Sequence, residues 1–141
     1  MIFENVKDSN FKRVHDFLSG VSSIESVDDN ILKNAVIALD NDKIVGCISF
    51  EEYDRIGLIR YFIFKKILSN DFLDELLEKL MINANSLRLK KIVCVADGEQ
   101  IEELFLSLGF QYIEQKIFIN EEKLENTSFS KSRMLYKNVI A

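Results

Sequence analysis

Three apolar segments between residues 35 and 64 are separated by two short polar turns. The first segment, 35–39, ends at an Asp-Asn-Asp sequence over 40–42, and the second, 44–53, ends at Asp54 and Arg55. Aspartate and asparagine favour tight turns because their short side chains bond to the local backbone. Strands joined by such turns lie side by side in antiparallel order. The sequence therefore predicts a three-stranded antiparallel meander.

Helical and strand patterns alternate on both sides of this meander. Helices are identified by apolar residues at spacings of three and four, and buried strands by short continuous apolar runs. A meander followed by β-α-β-α-β predicts an α/β (α+β) fold, with a mixed sheet of about seven strands and helices on both faces. The expected elements are strands at 2–6, 91–96, 111–119 and 134–139, helices at about 9–21, 24–33, 71–89 and 99–108, and a helical turn at 121–125.

Size and composition fit one domain that covers residues 1–141. The chain is 48% hydrophobic and 29% charged, which is typical of soluble globular proteins. A net charge of −5 argues against nucleic-acid binding, because phosphate contacts need clustered cations. No apolar run approaches the roughly 20 residues that span a bilayer, and the N-terminal residues lack the pattern of a secretion signal. We therefore expect a cytoplasmic monomer or homodimer that binds neither nucleic acid nor membranes.

Residue types that hold metals or act as strong nucleophiles are scarce. Cys47 and Cys94 lie inside apolar runs without the spacing of a metal or redox pair, and His15 is the single histidine, beside an apolar helical stripe. Free cysteine is among the most buried residue types, and a lone histidine has no partner with which to form a site. The sequence predicts buried reduced thiols, a structural histidine and no metal site.

Two short stretches carry a family resemblance. Residues 103–110 read ELFLSLGF, a helix that ends in an aromatic residue, a short spacer and Gly-Phe, and residues 57–64 read GLIRYFIF. Together with the element order, these stretches resemble the GNAT N-acetyltransferase superfamily. The Leu-Ile-Arg at 58–60 and the tail over 123–136 are similar to the amino-acid branch, which includes arsinothricin-type acetyltransferases. The resemblance implies acetyl-CoA as the co-substrate and the primary amine of a small amino-acid-like molecule as the acceptor.

The same resemblance implies a degenerate coenzyme A loop. In the family, backbone amides of a Q/R-x-x-G-x-G/A motif at a helix N-terminus bind the pyrophosphate, and glycine lets the backbone approach it closely. At the matching positions, 68–73, Asp71 and Leu73 replace the two glycines. Asp71 either repels the phosphates or simply caps the helix. Lys65 and Lys66 either offset that charge or form a solvated strand end. The residues assigned to coenzyme binding in this loop are Ser69, Asn70, Asp71, Phe72 and Leu73.

The resemblance also assigns roles along the preceding strand and the last helix. The backbone of Phe62, Ile63 and Phe64 is implied to contact the acetyl carbonyl and the pantetheine arm. Phe105 occupies the position of a tyrosine that often protonates the departing thiolate, and phenylalanine has no such proton. Gly98 stands where relatives carry an asparagine that contacts the coenzyme.

Candidate acceptor residues lie in the meander. The planar guanidinium of Arg60 suits a carboxylate or phosphonate, but an ordinary cross-strand pair with Glu51 or Glu52 is an equal alternative. By strand alternation, one of the two glutamates faces the cleft. That carboxylate is a candidate base for an ammonium group, unless both are a charged strand end. We take Glu51 as the candidate base, and Arg60 and Glu52 as candidate substrate-binding residues.

Two functions therefore remain open from the sequence. One is acetyl transfer from acetyl-CoA to a small amine. The alternative is a catalytically weakened GNAT-fold protein that senses a ligand or binds another protein, since function depends on the site rather than on the fold.

Overall fold

The computed structural model describes residues 2–22, 24–65, 70–96, 98–113, 118–119, 122–123 and 133–139. These residues form nine strands and four helices. The strands are β1 (Ile2–Asn5), β2 (Val36–Asp40), β3 (Lys43–Tyr53), β4 (Ile56–Phe64), β5 (Lys91–Ala96), β6 (Gln111–Tyr112), β7 (Phe118–Ile119), β8 (Glu122–Lys123) and β9 (Arg133–Asn138). The helices are α1 (Phe11–Ser19), α2 (Asp29–Leu32), α3 (Asn70–Ser86) and α4 (Glu99–Ser107).

Seven strands form one mixed sheet in the order β1-β2-β3-β4-β5-β9-β6. The predicted meander is confirmed: β2, β3 and β4 are antiparallel, with left-handed φ angles of 50° at Asn41, 65° at Asp42 and 59° at Asp54 in the two turns. β4 and β5 are parallel, and β9 is antiparallel to both β5 and β6. The last strand in the chain thus lies inside the sheet.

The region around residue 120 differs from the prediction. β6 contains only two residues of the strand expected over 111–119, and β7 pairs instead with β8 as a separate two-stranded sheet. The expected helical turn at 121–125 is wrong for Glu122 and Lys123, which form β8. Pairing between two extended segments satisfies backbone groups of both, whereas an isolated helical turn is costly to nucleate. The other residues of these two predictions lie outside the described part of the chain.

Helices cover both faces of the sheet, as predicted. On one face, which we call the α3/α4 face, Leu76, Leu80 and Phe105 pack against strand residues such as Phe50. On the opposite α1/α2 face, Val14, Leu18 and Leu32 pack around Cys47.

The sequence of α3 explains its position. Its buried residues recur at the spacing of one helical face, and each buried leucine contributes about 1.5–3 kcal/mol to stability. The opposite face carries exposed carboxylates such as Asp74 and Glu78. The helix is also tied to β1, because Lys79 Nζ donates to the Phe3 carbonyl at 2.8 Å and Asn83 Nδ2 donates to Asn5 Oδ1 at 2.9 Å. The buried residues of α3 are Leu73, Leu76, Leu77, Leu80 and Ala84.

Candidate active site

The strands β4 and β5 are paired only where they begin. Residues 56–58 of β4 are joined to residues 91–93 of β5. β4 continues to Phe64 and β5 to Ala96, yet within the described residues no further pair joins them. The backbone N–H and C=O groups of residues 59–64 that point toward β5 therefore have no partner in that strand, although such groups normally need one. We call this stretch the open edge of β4. The sheet therefore opens between these two strands beyond Leu58.

A β-bulge lies in the middle of this open segment. Ser49 of β3 is opposite Arg60, but Cys47 is opposite Ile63, so β4 contains one extra residue. Tyr61 in the bulge has a φ of 55°. A bulge redirects side chains, and here it places Arg60 and Tyr61 together on the α1/α2 face, with the guanidinium carbon 5.9 Å from the ring centre. Phe62 is on the α3/α4 face.

Aromatic side chains line the α3/α4 side of the opening. The ring of Phe62 is 4.8 Å from that of Phe64 and 5.3 Å from that of Phe105, and Phe64 is 6.4 Å from Phe72. Gly46 lies opposite Phe64, and a Cβ there would come within 2.2 Å of the ring. A side chain at Gly46 would therefore displace Phe64. The aromatic row consists of Phe62, Phe64, Phe72 and Phe105.

The structure places the predicted coenzyme residues in different environments. Phe62 and Phe64 belong to the aromatic row, whereas Ile63 turns to the α1/α2 face. Phe105 is only 1% exposed and also stacks edge-on with Phe110 at 4.9 Å. Its position offers an apolar contact and no proton.

The start of α3 differs from the expected phosphate loop. The helix begins at Asn70, so Asp71 lies inside the first turn and the prediction that it caps the helix is wrong. Its carboxylate is exposed. Leu73 is 8% exposed and belongs to the core, which explains why glycine is absent there. Ser69 lies outside the described residues.

Lys65 does not extend toward α3. Its ammonium lies 5.0 Å from the centre of the Phe17 ring, on α1. The alternative in which Lys65 offsets the charge of Asp71 is therefore not supported by its contacts. Lys66 lies outside the described part of the chain.

A hydrogen-bonded network occupies the α1/α2 side of the opening. Arg60 Nη1 donates to Glu51 Oε1 at 2.7 Å, with the two side chains 38% and 26% exposed. Burial, together with a side-chain hydrogen bond to Glu51 and the charge of that residue, raises the pKa of Tyr53 to about 12. A raised pKa keeps the phenol protonated and able to donate to Glu51. The Glu51 carboxylate thus accepts from Arg60 and also raises the pKa of Tyr53.

Glu52 lies apart from this network. It is exposed, and its Oε1 is 3.4 Å from Nδ2 of Asn34, at the edge of β3. Of the two alternatives predicted for the cross-strand pair of Arg60, the structure shows Glu51.

Two tyrosines of this region were missed by the sequence reasoning. Tyr53 follows Glu51 by two positions in β3, so strand alternation could have placed both on one face. Strand alternation could not have placed Tyr61, because the bulge interrupts the alternation of side chains at this residue.

The remaining residues singled out from the sequence are two cysteines, a histidine and a glycine, and their contacts or backbone conformations are structural. Burial raises the pKa of Cys47 and of Cys94 to about 12, and both are buried free thiols as predicted. His15 contacts Ser19 within α1. Gly98 precedes α4 with a φ of 122°, a conformation that favours glycine.

Two classes of feature are not found in the described residues. They contain no group of three or more His, Cys, Asp or Glu residues placed to hold a metal ion. None of their helices combines the length and apolar character needed to cross a bilayer.

The chain was compared with known families, curated proteins and solved structures. Neither the family models nor the curated proteins include a match to this sequence. Solved structures do match. N-acetylglutamate synthase from Neisseria gonorrhoeae, complexed with coenzyme A and N-acetyl-glutamate, aligns with 99% of this chain at a TM-score of 0.71 and 11% identity. The chain spans only 35% of that protein.

Two other solved structures match over their full length. Rv2747 from Mycobacterium tuberculosis, in complex with coenzyme A, has a TM-score of 0.71 and 14% identity, with 99% of this chain and 100% of that chain covered. An aminoglycoside 6′-acetyltransferase type Ii has a TM-score of 0.70 and 19% identity, with 100% and 99% covered. At these identities the likeness shows the fold alone, which is the expected GNAT fold.

Proposed function

We propose that this protein is an N-acetyltransferase that moves an acetyl group from acetyl-CoA to the primary amine of a small amino-acid-like substrate. The observation that carries the proposal is the opening between β4 and β5 beyond Leu58, in a fold shared with acetyltransferases. We further propose that residues 1–141 act as one domain, in the cytoplasm, as a monomer or homodimer.

The open edge of β4 fits the arm of the coenzyme. Backbone groups of residues 59–64 that lack a partner in β5 are available to bind the amides of a pantetheine arm. The rings of Phe62 and Phe64 supply an apolar wall on the α3/α4 side. These contacts depend on backbone and packing, so they survive the loss of motif side chains.

The start of α3 is a poorer match for the phosphates of the coenzyme. The N-terminus of α3 favours negative charge through its free amides and dipole. The exposed carboxylate of Asp71 lies in that same first turn, and Lys65 is directed to α1. We therefore expect coenzyme binding that is weak and sensitive to the charge of Asp71.

The reaction joins the amine nitrogen to the acetyl carbon as the carbon–sulfur bond breaks. Backbone amides near the bulge would stabilise the negative charge that develops on the carbonyl oxygen. Glu51, partly exposed beside Arg60, is the proposed base that takes the proton from the ammonium group, directly or through water. Phe105 supplies no proton to the leaving thiolate, so that proton must come from the solvent or from the substrate itself.

The charges on the α1/α2 side favour a zwitterion. Arg60 has further N–H donors beyond the one bonded to Glu51 and suits the carboxylate of an amino acid, and Glu51 suits its ammonium group. An equal pair of opposite charges is a poor match for a polycation, whose binding requires an excess of carboxylates. Glu52 points away from this pair, and we leave it out of the proposed contact.

The first test is binding and turnover. Acetyl-CoA at about 100 times its dissociation constant should stabilise the protein by about 2.7 kcal/mol, which is visible as a rise in Tm. Acetyl transfer should then be measured with amino acids and with their decarboxylated amines. Arg60→Ala should lower kcat/KM for the amino acids roughly tenfold to a hundredfold more than for the decarboxylated amines, which lose only the effect of Arg60 on the proposed base Glu51.

Arg55→Ala is the matched control, because Arg55 is an exposed arginine in the turn before β4. An equal loss in the Arg55 variant, or equal losses for both kinds of amine, would contradict the role assigned to Arg60.

The alternative function is a ligand-sensing or protein-binding module. It is favoured by the exposed carboxylate of Asp71 and the absence of a proton donor at Phe105. A Tm shift with acetyl-CoA but no transfer to any amine would support this alternative. No shift for either the unaltered chain or the neutral Asp71→Asn variant would contradict coenzyme binding itself.

A further inference from the structure

The backbone of Tyr61 is held in a conformation that large side chains avoid. Its φ of 55° lies in the left-handed region, in the middle of a strand. Left-handed backbone at a bulky residue costs free energy and persists only where the surrounding structure enforces it. Something must therefore hold the bulge of β4 in place.

The hydroxyl of Tyr61 provides that hold. It accepts a hydrogen bond of 2.8 Å from the backbone N–H of Asp28, which lies 33 positions earlier in the chain. Asp28 is itself fixed, since its side chain caps α2 by accepting from the backbone N–H of Asn30 at 2.9 Å. The tyrosine ring is partly buried and packs against the core of the α1/α2 face. One phenol thus ties the bulge to the N-cap residue of α2.

The bulge stands between the two halves of the proposed site. Arg60 precedes it, stacks near the Tyr61 ring and bonds to Glu51. Phe62 follows it and contacts Phe105 on the opposite face. Without the extra residue, Arg60 and Phe62 would share a face, because side chains alternate along a strand.

We infer that Tyr61 is a positioning residue: its hydrogen bond from Asp28 fixes the bulge and so directs Arg60 toward the amine substrate. The inference rests on the proposed function. The bulge also lies within the proposed coenzyme edge over 59–64, but the Tyr61 ring and hydroxyl lie on the α1/α2 face, where Arg60 also lies. Loss of the hydroxyl should therefore weaken recognition of the amine more than it weakens coenzyme binding.

The test is Tyr61→Phe, which removes one oxygen and keeps the ring. Exchange of the Asp28 amide with deuterium, followed by NMR on the free protein, should become roughly fivefold or more faster, as expected for one lost hydrogen bond. The KM for the amine should rise by a similar factor, and the dissociation constant for acetyl-CoA should rise by a smaller one.

Tyr136→Phe is the control, because its hydroxyl donates to Gln111 Oε1 at 3.2 Å on another strand. That variant should leave the Asp28 amide and the amine KM unchanged. Unaltered exchange at Asp28 in Tyr61→Phe would overturn the tether. Faster exchange with an unchanged amine KM, or an equal loss of amine and coenzyme affinity, would overturn the positioning role.

The two proposals fail separately. If the unaltered chain transfers acetyl to no amine, the proposed function fails and the positioning role falls with it. The exchange measurement then still reports whether Tyr61 holds Asp28, because it needs neither coenzyme nor amine.

Discussion

The two sides of the opening between β4 and β5 are built on different principles. The α3/α4 side is a row of phenylalanine rings in contact with one another. The α1/α2 side is a network in which Glu51, Tyr53, Arg60 and Tyr61 bond to one another or to backbone. A ligand held by backbone and apolar contact tolerates change in side-chain identity, whereas a ligand held by a polar network does not. Under the proposed function, the first kind of contact serves the coenzyme and the second serves the amine.

The largest expected effect tests whether Leu73 serves the core rather than the coenzyme. Leu73→Gly should lower the free energy of unfolding by roughly 3–5 kcal/mol, because it removes a buried side chain and weakens the helix. Urea denaturation measures the change. Asp71→Gly in the same turn should cost only about 1 kcal/mol, since it shares the backbone effect but its side chain is exposed. Equal losses would contradict the assignment of Leu73 to the core.

A smaller loss of unfolding free energy is expected from Gly46→Ala, which tests the packing of the aromatic row. The new Cβ would lie 2.2 Å from the Phe64 ring, so the ring must move, at a cost of roughly 1–3 kcal/mol. Near-ultraviolet circular dichroism should report the displaced aromatic residue. Gly20→Ala is the control, because its Cβ would meet only ordinary contacts at 3.6 Å or more. A Gly46→Ala variant as stable as Gly20→Ala would show that the aromatic row is loosely packed and accommodates the added methyl group.

On the α1/α2 side, Tyr53 should lose its proton at an unusually high pH. Its pKa of about 12, against an ordinary value near 10, means that the folded protein retains this proton where the unfolded chain loses it. The stability that Tyr53 contributes is therefore complete below about pH 10 and is lost as the pH rises toward 12. Absorbance at 295 nm, compared between the unaltered chain and Tyr53→Phe, should assign the late transition. Titration of Tyr53 near pH 10 would contradict its bond to Glu51.

The smallest effect is expected at the cysteines, which belong to neither side. With pKa values raised to about 12 by burial, Cys47 and Cys94 expose almost no thiolate at pH 8. Iodoacetamide should leave the folded protein unmodified and alkylate both thiols in urea, as counted by mass spectrometry. Rapid labelling of the folded chain would indicate that its core opens easily.

The sequence predicted the fold where local signals decided it. The turns at Asn41 and Asp54 adopt the left-handed backbone that Asn and Asp tolerate, and Gly109, with a φ of 92°, follows the end of α4 as expected. The insertion of β9 between β5 and β6 depends on pairing between distant segments, and no local pattern encodes it.

The candidate site was predicted less completely because of a single extra residue. Alternation along β4 assigns residues 60, 62 and 64 to one face, but the bulge at Tyr61 places Arg60 on one face and Phe62 and Phe64 on the other. Leu73 shows a second limit: its position matches the coenzyme motif and also the apolar stripe of α3, and only packing decides between them.

The open edge of β4 also bears on the solubility of the protein. Strand edges without partners invite strands from other molecules, and charge is one of the devices that prevent such pairing. Five of the six residues over 59–64 are apolar or aromatic, and Arg60 is the one charge. A molecule that occupies the opening covers this edge, so a ligand bound there should slow self-association during storage.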